Sequence, residues 1–151
     1  MRRLWLLLIA LSVALFVFVS ALLARAFSVD GAERSAITGL VQAQARGDRA
    51  GMVARIRDCR TTPACPSRVA NNVRALRLPG PVSILQIQPS AGFSLGGTLG
   101  DARVAWKVPR SRPIVQCVKV QRRGDVLRGL RVELLEVSPR IKTDAGCPKR
   151  F

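Results

Sequence analysis

The sequence predicts an α+β fold carried on an N-terminal transmembrane helix. Three observations lead there: an apolar run over residues 4–24, apolar positions at helical spacing across residues 33–76, and a change to alternating, strand-like spacing after Pro81. Helices followed by a run of strands read as helices packed on a curved antiparallel sheet of four or five strands. The expected division is 1–26 as a cytoplasmic stub and anchor, then 27–151 as an extracytoplasmic domain whose tail begins near residue 142.

The apolar run is interrupted only by Ser12 and Ser20. At about 1.5 Å per residue it reaches ~31 Å, the thickness of a bilayer's hydrocarbon core. The apolar part of a signal peptide is shorter, about 7–15 residues, which favours an uncleaved signal-anchor. Ala24-Arg25-Ala26 nevertheless forms a small-x-small pattern, so secretion after cleavage near Ala26 is the alternative. Arg2 and Arg3 precede the run, whereas Arg25, Asp30, Glu33 and Arg34 follow it with mixed sign. The positive-inside bias then keeps the N-terminus cytoplasmic and puts the remainder outside. Trp5 fits an interfacial anchor.

Four cysteines, Cys59, Cys65, Cys117 and Cys147, all lie beyond that run. An even number in a small exported domain points to disulfides, and three connectivities are open. Sequence neighbours favour Cys59 with Cys65 and Cys117 with Cys147. Zinc binding and redox catalysis are both disfavoured by the absence of Cys-x-x-Cys and of histidine. No metal site and no cofactor are expected.

In the helical half, Ile37, Leu40 and Val41 mark one face of a helix over 33–46. Gly47 is a natural left-handed stop and Asp48 a natural N-cap. A second helix over 49–57 carries Met52, Val53 and Ile56 on one side. A loop with Cys59, Pro63 and Cys65 leads to a third, in which Pro66 suits the first turn and Val69, Val73 and Leu76 recur at helical spacing. Leu78-Pro79-Gly80-Pro81 ends it.

A first strand is expected over 82–88. Phe93, Leu95, Gly97 and Leu99 alternate next, and Gly100-Asp101 reads as a two-residue hairpin turn into a strand carrying Val104, Trp106 and Val108. Residues 114–121 form a further strand closed by Arg122-Arg123-Gly124-Asp125 as a turn. In the last strand Leu130, Val132 and Leu134 share one parity, and Leu135 and Val137 the other. A bulge near Leu134 and Leu135 accounts for the change.

Two helices joined at Gly47-Asp48, the pattern Ala-Gln-Ala-Arg-Gly-Asp at 43–48, and antiparallel strands ending in a long bent one together resemble the nuclear transport factor two-like superfamily, also called cystatin-like. The similarity covers residues 29–141 and is to its membrane-anchored exported bacterial type. It implies a cone-shaped domain, with Trp106, Val118 and Val132 as candidate cone-lining residues. Enzymes of the superfamily use an Asp, often with His or Tyr, inside the cone.

This chain has neither His nor Tyr. Among its acids, Asp48 is explained by capping and Asp101 and Asp125 by turns, Asp30 and Glu33 follow the anchor, and Glu133 and Glu136 sit on a strand with Glu133 facing solvent. No catalytic residue is assigned. The Gly-rich stretch over 92–100 lacks the Gly-Lys-Ser/Thr ending of a phosphate loop and reads instead as a hairpin where backbones approach closely.

The formal net charge is +16. Taking Arg2, Arg3 and Arg25 from the 25 basic residues leaves 22 against 9 acidic ones beyond the anchor. Such a surplus attracts anionic lipid or an envelope polymer, although arginines at 46, 49, 55, 57, 60, 68, 74 and 77 are also spaced as a solvated face would be. Only Phe27, Phe93, Trp106 and Phe151 are aromatic beyond the anchor, which disfavours nucleic acid. The expected partners are the membrane, through residues 4–24, and a membrane protein. The expected function is a single-pass binding or interaction module docking a membrane-complex partner or a small apolar ligand. The alternatives are an exported isomerase-like or hydrolytic enzyme with a buried carboxylate, and a structural protein held by charge on anionic envelope surfaces.

Overall fold

The computed structural model describes residues 2–91, 96–125, 131–149 and 151. A single 45-residue helix, α1 (Arg2–Arg46), passes from the apolar run into the domain and crosses the expected boundary at residue 26 without a break. Its first half exposes Trp5, Leu7, Leu15 and Phe16. An apolar surface that extensive is foreign to water, and the helix is long and apolar enough to cross a membrane. From Val29 onward one face is buried, with Ile37, Leu40 and Val41 at its centre.

Gly47 ends α1 at φ 79°. Its N–H donates to Gln44 O at 3.0 Å, and that of Asp48 to Ala43 O at 2.8 Å. These two bonds satisfy carbonyls the helix leaves open. Asp48 then caps α2 (Arg49–Arg55) by accepting from Gly51 N at 2.7 Å. This helix is two residues shorter than expected because the chain leaves it to pair with the sheet: Ile56 bridges Leu134, and Arg57 N donates to Leu134 O at 2.7 Å. In α3 (Cys65–Leu76), Pro66 occupies the first turn, and Val69 and Leu76 are buried.

Four strands follow: β1 (Ser83–Gln88), β2 (Gly96–Lys107), β3 (Ile114–Asp125) and β4 (Arg131–Val137). They form an open antiparallel sheet in sequential order. Phe93, Leu95 and Leu130, expected on strands, lie outside the described residues.

Two expected turns are strand instead. Residues Gly100 and Asp101 sit within β2, paired with Val120 and Lys119. Gly100 serves a close crossing: a Cβ there would run into the carbonyl oxygen of Ser90. A side chain is excluded by a neighbouring backbone, so glycine is needed without any turn. Gly100→Ala is expected to lower stability by about 1–3 kcal/mol, the usual cost of overpacking. Denaturant unfolding of the full chain in detergent measures it, and an unchanged midpoint would refute the crossing's role.

The second misplaced turn, Arg122-Arg123-Gly124-Asp125, continues β3. Arg122 pairs with Val132, Arg123 with Arg131, and Asp125 with Gly96. The Arg122 side chain is drawn into the core by Asp30 and Glu33 of α1, and local turn propensity yields to that contact. In β4, Glu136 pairs with Lys119 and Leu134 with Val120, leaving Leu135 as the extra residue of a bulge. Leu134 and Val137 are therefore both buried despite their opposite parity.

Registered neighbours on β2 and β3 define the inner face of the sheet: Ala102 lies beside Val118, Val104 beside Gln116, and Trp106 beside Ile114. Their apolar side chains join one buried cluster with Ile37, Leu40, Met52 and Val69 of the helices. The alternate residues Arg103, Cys117 and Lys119 point to the outer face, where the tail lies. Beyond β4, Ser138 N and Ile141 N donate to Cys117 O and Val115 O, each at 2.8 Å. The chain then folds over: Arg103 donates to Thr143 O, Cys147 is bonded to Cys117, and Lys119 Nζ stands 5.0 Å from the Phe151 ring centroid.

Replacing Cys117 and Cys147 together by serine is expected to cost about 4 kcal/mol in the chain-entropy account of a 30-residue separation. Amide protection of residues 142–149 should fall at the same time. Protection that survives the replacement would mean the tail is held by its other contacts.

Candidate functional site

The inner face of the sheet is built around two buried polar clusters. The first begins on α1, where Gln44 stands about two helical turns beyond Ile37 on the apolar stripe and is buried. Gln44 Nε2 donates to Gln116 Oε1 at 2.8 Å, and Gln116 Nε2 returns a bond to Gln44 Oε1 at 3.2 Å. Trp106 Nε1 donates to the same Gln116 oxygen at 2.9 Å, and Gln116 Nε2 also donates to Ser138 O at 2.9 Å. Asn72 of α3 reaches that carbonyl at 3.1 Å. Helices, sheet and tail thus meet at two amides whose hydrogen-bonding capacity is used internally.

The second cluster lies nearer the apolar half of α1. Glu33 is fully buried, the only acid so placed among the described residues. Its Oε1 accepts from Ser90 N at 2.7 Å, and its Oε2 accepts from Ser90 Oγ and Arg122 Nε, both at 2.9 Å. Arg122 also donates from its NH2 group to half-exposed Asp30 at 2.6 Å. A guanidinium and a backbone amide thus bind the two oxygens of a buried carboxyl group, which makes these charge-assisted bonds. It ties α1 to β3 and to the link that crosses Gly100.

Of the candidate cone-lining residues, Trp106 and Val118 are wholly buried in the packed cluster. Val132 is half-buried and borders a solvent-open groove of about 470 Å³, with Ser35 and Gly39 of α1 opposite it. Glu133, expected in solvent, pairs with Arg57 at 2.6 Å and Arg123 at 3.0 Å. Asp101, expected in a turn, lies in mid-strand. The cysteines are joined as Cys59 with Cys65 and Cys117 with Cys147, at Cα separations of 5.1 and 5.7 Å. Disulfides belong to oxidising compartments. Among the described residues no three His, Cys, Asp or Glu side chains group as metal ligands.

No family model, curated protein or solved structure matches this chain.

Exposed cations gather at the end of the domain remote from Val29. Glu33 joins Arg122, whereas Gln44, farther along α1, joins Gln116, so β3 runs back along α1 and the link between β2 and β3 lies at the far end. Four chain corners meet there. Leu78 N donates to Ala45 O at 3.0 Å, the Arg77 side chain lies against Gly47, Gly80 lies against Pro109, and Arg140 donates to Pro113 O at 3.2 Å. The helical side of this end exposes Arg46, Arg49, Arg74 and Arg77, and the sheet side exposes Lys107, Arg110, Arg112 and Arg140. Of the acids beside them, Asp48 is committed to its capping bond, and Asp144 shares a surface hollow with Arg140. Among the described residues all ion pairs lie elsewhere, on Arg57, Arg68, Lys119, Arg122 and Arg123. Helical spacing placed Arg46, Arg49, Arg74 and Arg77 on a solvated face, but nothing in the sequence joined them to Lys107, Arg110, Arg112 and Arg140, which lie far along the chain.

Proposed function

We propose that the protein is a single-pass membrane-anchored interaction module whose extracytoplasmic domain docks a protein partner of a membrane complex. The observation that carries this reading is α1 itself, which continues from an exposed apolar segment into the packed core and so fixes the domain to its anchor. Arg2 and Arg3 before the apolar segment support a cytoplasmic N-terminus. The two cysteine pairs support placing the domain outside. Helices preceding an antiparallel sheet with a bulged last strand support kinship with the nuclear transport factor two-like superfamily, in a variant whose cone is filled.

A surface role is favoured over a ligand held in a cone because Trp106 and Val118 are consumed by packing. The buried acid, Glu33, is likewise engaged in structural bonds, which favours docking over carboxylate catalysis. Photo-crosslinking groups placed one at a time over the domain of the full chain, in native membranes, test the reading. A protein adduct confined to one cluster of positions is expected. No adduct at any position, or an apolar molecule retained by the purified chain in native mass spectrometry, would overturn it.

A further inference from the structure

We infer that the membrane-remote end of the domain is the docking surface, and that its occupant is an acidic face of a folded partner protein. This inference rests on the interaction-module reading and adds where and with what chemistry contact is made. Its basis is segregation of charge. Exposed cations on four chain corners outnumber the acids beside them, Asp48, already used as a cap, and Asp144, which shares a surface hollow with Arg140, while the ion pairs among the described residues lie elsewhere. Uncompensated like charge held together is unfavourable for the domain alone and is relieved by an anionic partner. All but one of the side chains are arginines, whose planar fork meets carboxylates with two parallel bonds.

The corners are ordered by backbone bonds, so the guanidinium groups stand on fixed supports. Gly47 is held by its helix-ending bonds, Leu78 by Ala45, and Ser111 by Val108 at 3.1 Å. Arg110 adopts φ 66°, a left-handed conformation in which glycine or asparagine is the usual occupant. A charged residue is kept there against that preference.

Other occupants fit less well. Along a straight α1, Arg46 stands ~33 Å beyond Ala24 at 1.5 Å per residue, several times the ~8 Å screening length. The headgroups around the anchor are thus out of reach. None of the four corners carries an aromatic residue on which bases stack. A fixed array at several corners suits the fixed carboxylates of a protein face.

The test uses the full chain in nanodiscs of uncharged lipid, with labelled deca-glutamate as the probe. The variant R46Q/R77Q/R110Q/R112Q should bind about tenfold more weakly, each lost pair contributing a few tenths of a kcal/mol. The variant R34Q/R60Q/R131Q/K149Q, which removes equal charge elsewhere, should change binding less than about twofold. All eight residues are exposed, and an unchanged circular dichroism spectrum verifies folding. Equal losses in both variants, no binding by the parent chain, or tighter binding of polyphosphate or decathymidylate than of deca-glutamate would overturn the inference.

Crosslinkers at positions 74, 107 and 140 of the chain in native membranes, compared with 34, 85 and 131, separate the two claims. Adducts at the remote positions that vanish in the first variant support docking there. Remote adducts that persist in that variant would overturn it, as would adducts only at the other positions, which leave the module reading intact. Absence of adducts everywhere removes both.

Discussion

Arg122→Met is expected to destabilise the domain by about 3–5 kcal/mol, because it leaves a buried carboxylate without its charge partner. Glu33 is inaccessible to water, and its remaining partners, the amide and hydroxyl of Ser90, are neutral. The loss should therefore exceed that of an ordinary surface ion pair, which is about 0–1 kcal/mol. Glu33→Gln in the same background should recover part of it, since a neutral amide needs no cation. The double variant would then lose less than the sum of the single ones, with a coupling of about 0.5–3 kcal/mol. Unfolding in denaturant measures all three variants. Amides of α1 around residue 33 should exchange faster in Arg122→Met, because the cluster joins this helix to Ser90 and β3. A loss below about 1 kcal/mol would mean that water or a rearranged side chain already compensates Glu33.

Trp106→Ala is the second large effect, expected at about 3–5 kcal/mol. Trp106 is fully buried beside Ile114 and donates to Gln116, so truncation combines a large void with loss of a hydrogen bond. Trp106→Phe should cost less, because most of the volume is kept and Gln116 Oε1 still accepts from Gln44. Thermal and denaturant midpoints distinguish the two. Near-neutral behaviour of the alanine variant would indicate that Trp106 borders open space. A ligand-holding cone would then regain ground.

The local chemistry of the helical half was legible from its residues. Gly47 stops α1 in the left-handed region, Asp48 caps α2, and Pro66 sits in the first turn of α3, because each role depends on the residue's own backbone or side chain. The bulge at Leu135 was legible for a similar reason: a change of parity in an apolar strand has few causes. The turns assigned to Gly100 and to Arg122 were misplaced because the deciding partners are distant. Gly100 answers to Ser90, and Arg122 answers to Glu33. A signal for the polar clusters did exist. Glu33 and Gln44 lie four residues before Ile37 and after Leu40, on the apolar stripe of α1, and a polar group on a buried stripe requires a partner. The sequence alone did not identify which strand residue would supply that partner, because β3 reads as apolar on both parities near its start.

The central claim is that the domain stays attached to its membrane helix while residing in an oxidising compartment. The intact mass of the chain extracted from carbonate-washed membranes, under conditions that trap free thiols, tests both parts. The expected mass is that of a chain retaining residues 4–24, less four hydrogens for two disulfides and with no thiol adduct. A chain beginning near residue 27 in the soluble fraction, or a membrane-bound chain with four trapped thiols, would contradict the account.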